Sequence, residues 1–169
     1  MRTRSFRRCT VFSLLAALAG VATAAGGESG TTPFKAAFVT RETIAFNPAA
    51  CPLPPFLQGS TTGDGLASQL GKTALKSTDC VAPVASSFTF TSGALVLTAA
   101  NGDTLTAEYS GSLLPAFQEL GFYSLSGSYR VTGGTGRFVG ATGSGYLRGT
   151  TNIVTGLGAY TATGTLSRP

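Results

Sequence analysis

The sequence predicts an all-β domain that closes into a small barrel. Segments with alternating apolar and polar residues recur along most of the 169-residue chain, and turn-type residues separate them. These segments number seven or eight, and no long amphipathic helix accompanies them. Such spacing is typical of a sandwich or a closed barrel. Gly140, Gly143 and Gly145 fall within a late strand segment, where glycine permits sharp coiling, and they favour the barrel.

The first 24 residues have the layout of a secretory signal peptide. Four arginines among the first eight residues precede an apolar run at 11–21, and the small residues Ala22-Thr23-Ala24 follow. We therefore expect cleavage near Ala24 and a secreted protein, extracellular or periplasmic. Residues 25–33 are expected to be a flexible lead-in, and residues 34–169 a single barrel domain. No other apolar stretch reaches the ~20 residues that a membrane span requires.

Composition excludes several classes of function. Without the four leader arginines the chain has 8 basic and 7 acidic residues, a net charge of +1, so we expect no nucleic-acid partner. The chain has no histidine, which excludes Ser-His-Asp and Cys-His catalysis and the common His-containing zinc sites. We expect no cofactor and no metal, and the sequence predicts no particular oligomeric state.

The cysteines are expected to be structural. Cys9 lies in the leader, which leaves Cys51 and Cys80. Two cysteines in an exported chain predict one disulfide, because the compartment is oxidising. A reactive thiol at either position is the alternative.

The first half of the domain contains one clear strand. Residues 34–46 alternate, with one face formed by Phe34, Ala36, Phe38, Thr40, Glu42, Ile44 and Phe46. Residues 47–65 contain four prolines and many turn-type residues, and they are expected to be a loop. Residues 66–81 fit either a helix or a strand, and their context favours a strand.

The second half alternates more regularly. Phe88 and Phe90 begin a strand that leads to Asn101-Gly102, where a type I′ turn is expected to form a hairpin. Residues 112–120 resemble a short helical turn, with Pro115 in its first turn and Gly121 as its cap. The remaining strands are expected at 122–132, 137–149 and 156–167, with a turn at 133–136.

The glycine-rich stretch at 133–145 is the most distinctive part of the sequence. It does not match either common phosphate-binding pattern, because Val139 and Arg148 stand where the final glycine is needed and no lysine follows its glycines. Residues 131–141, VTGGTGRFVGA, resemble the strand–turn–strand signature of the allene oxide cyclase-like barrels, which include the plant dirigent proteins. The Ala-Asn-Gly-Asp hairpin at 100–103 is similar to one in secreted bacterial members of this family.

The resemblance implies an eight-stranded antiparallel barrel of the calycin type with an apolar interior. In the plant cyclase, an interior carboxylate and a bound water steer the cyclisation of an epoxide without a cofactor. Dirigent proteins similarly guide the coupling of phenolic radicals. The catalytic residues of the cyclase cannot be matched to positions of this chain, and a shared barrel does not establish a shared reaction.

Glu42 is the candidate catalytic residue, because alternation places it on an apolar face between Phe38 and Ile44. In the alternative interpretation it reaches solvent or pairs with Arg41, Lys35 or a neighbouring strand. We expect an ordinary glutamate pKa, near ~4.3. The residues expected to line a cavity are Phe38, Ile44, Phe88, Phe90, Tyr109, Tyr123 and Tyr129.

Two functional hypotheses follow. The favoured one is a non-enzymatic secreted barrel that binds a small apolar ligand or serves as an interaction module. The alternative is a cofactor-free isomerase or cyclase, or a dirigent-like guide for a reactive small molecule. An enzyme requires Glu42 and a second polar group converging on an otherwise apolar pocket, whereas an interior packed solid would indicate an interaction module.

Overall fold

The computed structural model describes residues 30–116 and 121–169, which form a closed eight-stranded antiparallel barrel. Each strand pairs with the next along the chain, and β8 pairs with β1 to close the barrel. The strands are β1 (Thr31–Phe46), β2 (Leu57–Ala67), β3 (Gly71–Val84), β4 (Ser87–Ala99), β5 (Thr104–Pro115), β6 (Phe122–Gly134), β7 (Thr142–Asn152) and β8 (Leu157–Ser167). The all-β prediction and the closed barrel are confirmed. No helix in the described ranges is long and apolar enough to cross a membrane.

Alternation in β1 produces the expected half-buried strand. Phe34, Ala36, Phe38 and Thr40 are buried, and the residues between them are exposed. The strand begins at Thr31, which pairs with Ser167 of β8, so the lead-in extends three residues less far than expected. The expected signal peptide and residues 25–29 of the expected lead-in lie outside the described residues.

The prediction of a loop at 47–65 is confirmed for its first part and wrong for its second part. The proline-rich part is a loop, but Leu57–Ala67 forms β2. The inward positions of β2 include Gly59, Thr61 and Gly63, which carry no large apolar side chain. The strand therefore lacks the apolar alternation by which a half-buried strand is recognised.

The segment at 66–81 confirms the preference for a strand. Leu66 lies next to the last residue of β2 with its side chain exposed, Leu70 is buried in the turn, and Leu75 is buried within β3. Three leucines that resembled a helical face thus occupy two strands and the turn that joins them.

The prediction of a helical turn at 112–120 is wrong for residues 112–116, the part of this segment that the structure describes. Ser112–Pro115 continue β5, and Leu113 pairs with Leu125 of β6. Leu113 is buried because it continues the inward alternation of β5. Residues 117–120 lie outside the described ranges.

Two glycine expectations also need correction. The hairpin between β4 and β5 forms as predicted, but only Gly102 has a positive φ, 89°, so the turn is not type I′. The strand expected from 137 begins at Thr142, and Gly140 lies in the preceding connection with φ +71°. Gly143 and Gly145 lie in β7 as expected.

The barrel has two different ends. At one end, which we call the closed end, the connection from β6 to β7 buries Phe138 completely. Phe138 belongs to the same core cluster as Leu105 and Leu166. At the opposite end β1 continues past its last pair with β8, Arg41 with Leu157.

Candidate functional site

A cavity of about 70 Å³ lies inside the barrel, and side chains from all eight strands line it. Its volume is roughly half of the ~150 Å³ of a dry cavity that holds benzene. Most of the wall is apolar and includes Phe34, Phe38, Leu75, Phe90, Leu97, Leu105, Val131 and Leu147. The polar exceptions include two carboxyl groups, those of Glu42 and Asp79. We call the end of the barrel nearer these carboxyl groups the acid end.

Asp79 is the more deeply buried of the two acids. It lies on β3, is 8% exposed, and accepts a hydrogen bond of 2.7 Å at Oδ2 from the hydroxyl of Tyr109. Its Oδ1 atom is buried and has no hydrogen-bond partner among the described residues. Burial raises the pKa of Asp79 because the charged form loses solvation, and the bond from Tyr109 opposes this shift.

The local backbone makes room for Asp79 and Tyr109. Asp79 pairs with Gly59 of β2, where a Cβ atom would clash with Oδ1 of Asp79. On the other side β4 contains a bulge at Ser92–Gly93, and a Cβ at Gly93 would lie 2.6 Å from the ring of Tyr109. Glycine at both positions therefore allows the carboxyl group and the ring to pack against the backbone.

Glu42 lies at the acid end, where β1 continues past β8. Its backbone N–H donates to the carbonyl of Gly156 in the β7–β8 turn at 2.7 Å. Its Oε2 atom accepts hydrogen bonds from Tyr160 at 3.4 Å and Thr151 at 3.5 Å. Burial raises the pKa of Glu42, the negative charge of Asp79 raises it further, and the two hydrogen bonds oppose these effects.

These features correct the expected pKa of Glu42 and separate the alternatives for its partner, because Tyr160, which donates to it, lies on the neighbouring strand β8. The pKa of Glu42 is raised, so the expected ordinary value is wrong. It forms no ion pair with Arg41 or Lys35; the ion pairs in the described ranges are Arg130–Glu108 and Arg137–Asp103. The reason is the alternation of β1, which places Arg41 and Lys35 on the exposed outer face.

Three tyrosines add hydroxyl groups to the same cavity. Burial raises the pKa of Tyr129 to about 12 and that of Tyr160 to about 12, with the charge of Glu42 contributing for Tyr160. Burial also raises the pKa of Tyr109. All three therefore remain neutral near physiological pH. The hydroxyl of Tyr129 is buried without a hydrogen-bond partner in the described structure, and it lies against the paired Gly145 and Gly164.

The structure brings some of the residues expected to line a cavity to its wall and leaves others elsewhere. Phe38, Phe90, Tyr109 and Tyr129 line it together with Glu42, whereas Ile44, Phe88 and Tyr123 do not. Ile44 is 44% exposed because it lies beyond the end of β8. Phe88 and Tyr123 instead pack edge to face on each other, with ring centroids 5.3 Å apart.

Asp79 was not among the residues expected to form the site. Asp79 belongs to an alternating series on β3, Leu75, Ser77, Asp79 and Val81, whose inward side chains all line the cavity. Strict alternation from Leu75 could have found it. Tyr160 follows the same rule on β8, two residues before the buried Ala162.

The predicted disulfide is confirmed. Cys51 and Cys80 are bonded, with their Cα atoms 5.5 Å apart. Because Cys80 directly follows Asp79, the disulfide ties the proline-rich loop to β3 beside the buried acid. Neither cysteine is therefore a free thiol.

Comparison with protein-family models, curated proteins and solved structures found no match to this chain. The described residues also contain no group of three or more side chains able to hold a metal ion. The polar side chains that line the cavity carry carboxyl and hydroxyl groups. They can donate or accept hydrogen bonds, exchange protons, or neutralise a positive charge.

Proposed function

We propose that the protein is a secreted barrel that binds a small, largely apolar molecule in its interior cavity. The observation that carries the proposal is the convergence of Asp79, Glu42 and their tyrosine partners on a cavity whose wall is otherwise mostly apolar. Apolar pockets with a few placed polar groups are typical of small-molecule sites. The open interior supports ligand binding over the interaction-module form, for which we expected solid packing.

Secretion and family membership form part of the same proposal. The Cys51–Cys80 disulfide supports an oxidising compartment, because such bonds are reduced in the cytosol. The closed eight-stranded antiparallel barrel supports membership of the allene oxide cyclase-like, calycin-type barrels that residues 131–141 resemble. Neither inference depends on the identity of the ligand.

Xenon provides a test of the cavity that is independent of ligand polarity, because it enters dry apolar cavities. We expect saturable methyl shifts at Leu75, Leu97 and Leu147 in NMR spectra of the purified protein under xenon pressure. Ala107→Leu is the matched control, since it adds an aliphatic side chain to the cavity wall. Absence of the shifts in the unmodified protein, or equal shifts in the variant, contradicts the proposal. Mass spectrometry of small molecules released on denaturation would then identify a natural ligand.

A cofactor-free isomerase or cyclase is the second candidate. It is favoured by the presence of two carboxyl groups on one cavity, because Asp79 raises the pKa of Glu42 and one acid can hold a proton while the other accepts one. We expect Glu42→Gln and Asp79→Asn each to abolish turnover of a small reactive epoxide with the fold intact by circular dichroism. Unchanged turnover in both variants refutes this mechanism.

A further inference from the structure

Among the described residues, the interior of the barrel carries acids but no base. Asp79 and Glu42 line the cavity, whereas no lysine or arginine does. All eight lysine and arginine residues in the described ranges are exposed. Both ion pairs found there involve other acids, Glu108 and Asp103. Ionised carboxyl groups in this cavity therefore have no positive charge from the protein beside them.

Unpartnered polar atoms provide a second and independent observation. The hydroxyl of Tyr129, a residue 5% exposed, has no hydrogen-bond partner among the described residues, and Tyr129 lines the same cavity. Oδ1 of Asp79 is also buried without a partner there. Buried polar groups are ordinarily hydrogen-bonded, so Oδ1 of Asp79 offers an acceptor site that no described residue uses.

We propose that the guest is a small organic cation, an amine whose ammonium group binds Asp79 and Glu42 while its alkyl or aryl part occupies the apolar wall. This inference rests on the proposed ligand-binding function and names its ligand class. An ammonium group carries three donors and no acceptor, and ionised carboxylate oxygens are acceptors only.

Charge distinguishes this class of ligand from the others. A buried carboxylate is costly unless it is paired, and a cation compensates that cost. A neutral ligand leaves the two carboxylates uncompensated, and an anionic ligand adds like-charge repulsion. Phe38, Phe90 and Tyr160 supply aromatic rings to the same wall, and aromatic rings attract cations. The volume of about 70 Å³ restricts the guest to a few non-hydrogen atoms.

Calorimetric titration of the purified protein with n-butylammonium and butan-1-ol tests the inference. The two probes have the same alkyl chain and differ in their polar group. Hydrogen bonds to charged groups are worth about 1.5–3 kcal/mol, so we expect the amine to bind at least ~10-fold more tightly at pH 8. Butyrate is expected to bind more weakly than either.

The pH dependence provides a readout that needs no variant. The titratable groups that face Asp79 and Glu42 are each other, Tyr109 from β5 and Tyr160 from β8, and the tyrosines stay neutral between pH 5 and 8. The ammonium group prefers ionised carboxylates, so its binding releases protons and its affinity rises with pH. We expect the preference over butan-1-ol to shrink at pH 5.

Variants of the two acids test whether the preference for the amine arises at this site. We expect Asp79→Asn and Glu42→Gln to reduce the preference for the amine, and Asp64→Asn, at an exposed position of β2, to leave it unchanged. Butan-1-ol binding as tightly as the amine at pH 8 overturns the cation inference. If xenon still enters the cavity, the proposed binding function remains. A failure of both xenon and the amine overturns both.

Discussion

The hydrogen bond from Tyr109 to Asp79 leads to the most specific stability prediction. Tyr109→Phe keeps the ring against Gly93 and removes only the hydroxyl, which donates at 2.7 Å to a carboxyl group on a residue 8% exposed. A hydrogen bond to a charged group contributes about 1.5–3 kcal/mol, and one to a neutral group about 1 kcal/mol. We therefore expect the free energy of unfolding to fall by about 2 kcal/mol at pH 8 and by about 1 kcal/mol at pH 4.

The difference between the two pH values follows from the direction of the pKa effect. The bond from Tyr109 lowers the pKa of Asp79, so it stabilises the ionised form more than the protonated form. Urea unfolding monitored by circular dichroism should show the midpoint of Tyr109→Phe lowered by about 1 M at pH 8. Tyr146→Phe is the matched control, because Tyr146 is 68% exposed. An equal loss at both pH values, or the same loss in the control, refutes this interpretation.

Three further predictions concern stability. Because the pKa of Asp79 is raised in the folded state, that state binds more protons than the unfolded state between the two pKa values. We therefore expect the stability of Asp79→Asn to rise relative to that of the unmodified protein as the pH increases through this window. Urea midpoints of the two proteins that change in parallel with pH contradict this expectation. Replacing both Cys51 and Cys80 with alanine removes a disulfide whose cysteines are 29 residues apart in the sequence. The free energy of unfolding, measured by denaturant titration, should fall by about 3–4 kcal/mol. An unchanged midpoint contradicts a stabilising role for the disulfide. Phe138→Ala should cost about 3–5 kcal/mol in the same assay because Phe138 is fully buried at the closed end, and a loss below about 1 kcal/mol contradicts its role in the core.

Large apolar residues made some strands predictable and their absence hid another. The alternation of Phe34, Ala36 and Phe38 predicted β1, and the hairpin around Asn101-Gly102 was also found. In β2 the inward positions between Leu57 and Ala67 hold glycine and threonine, so the same physical rule had nothing to detect there. Pairing with β1 and β3 nevertheless satisfies the backbone of β2 and makes it a strand.

Only part of the candidate site was predictable from the sequence. Local alternation placed Glu42 on the inner face of β1, and the structure confirms that it lines the cavity. Its raised pKa was not predictable, because burial and the charge of Asp79 come from strands distant in sequence. The exposure of Ile44 likewise depends on where β8 ends, which no pattern within β1 encodes.

Carbon-detected NMR titration of the Asp79 and Glu42 carboxyl groups tests the central claim most directly. The claim is that two acids face an apolar cavity inside a closed barrel, and the measurement requires neither a substrate nor a variant. We predict titration midpoints above the ordinary values of about 3.9 for aspartate and about 4.3 for glutamate. Ordinary midpoints for both groups would place them in solvent or beside a compensating cation, and would contradict the site.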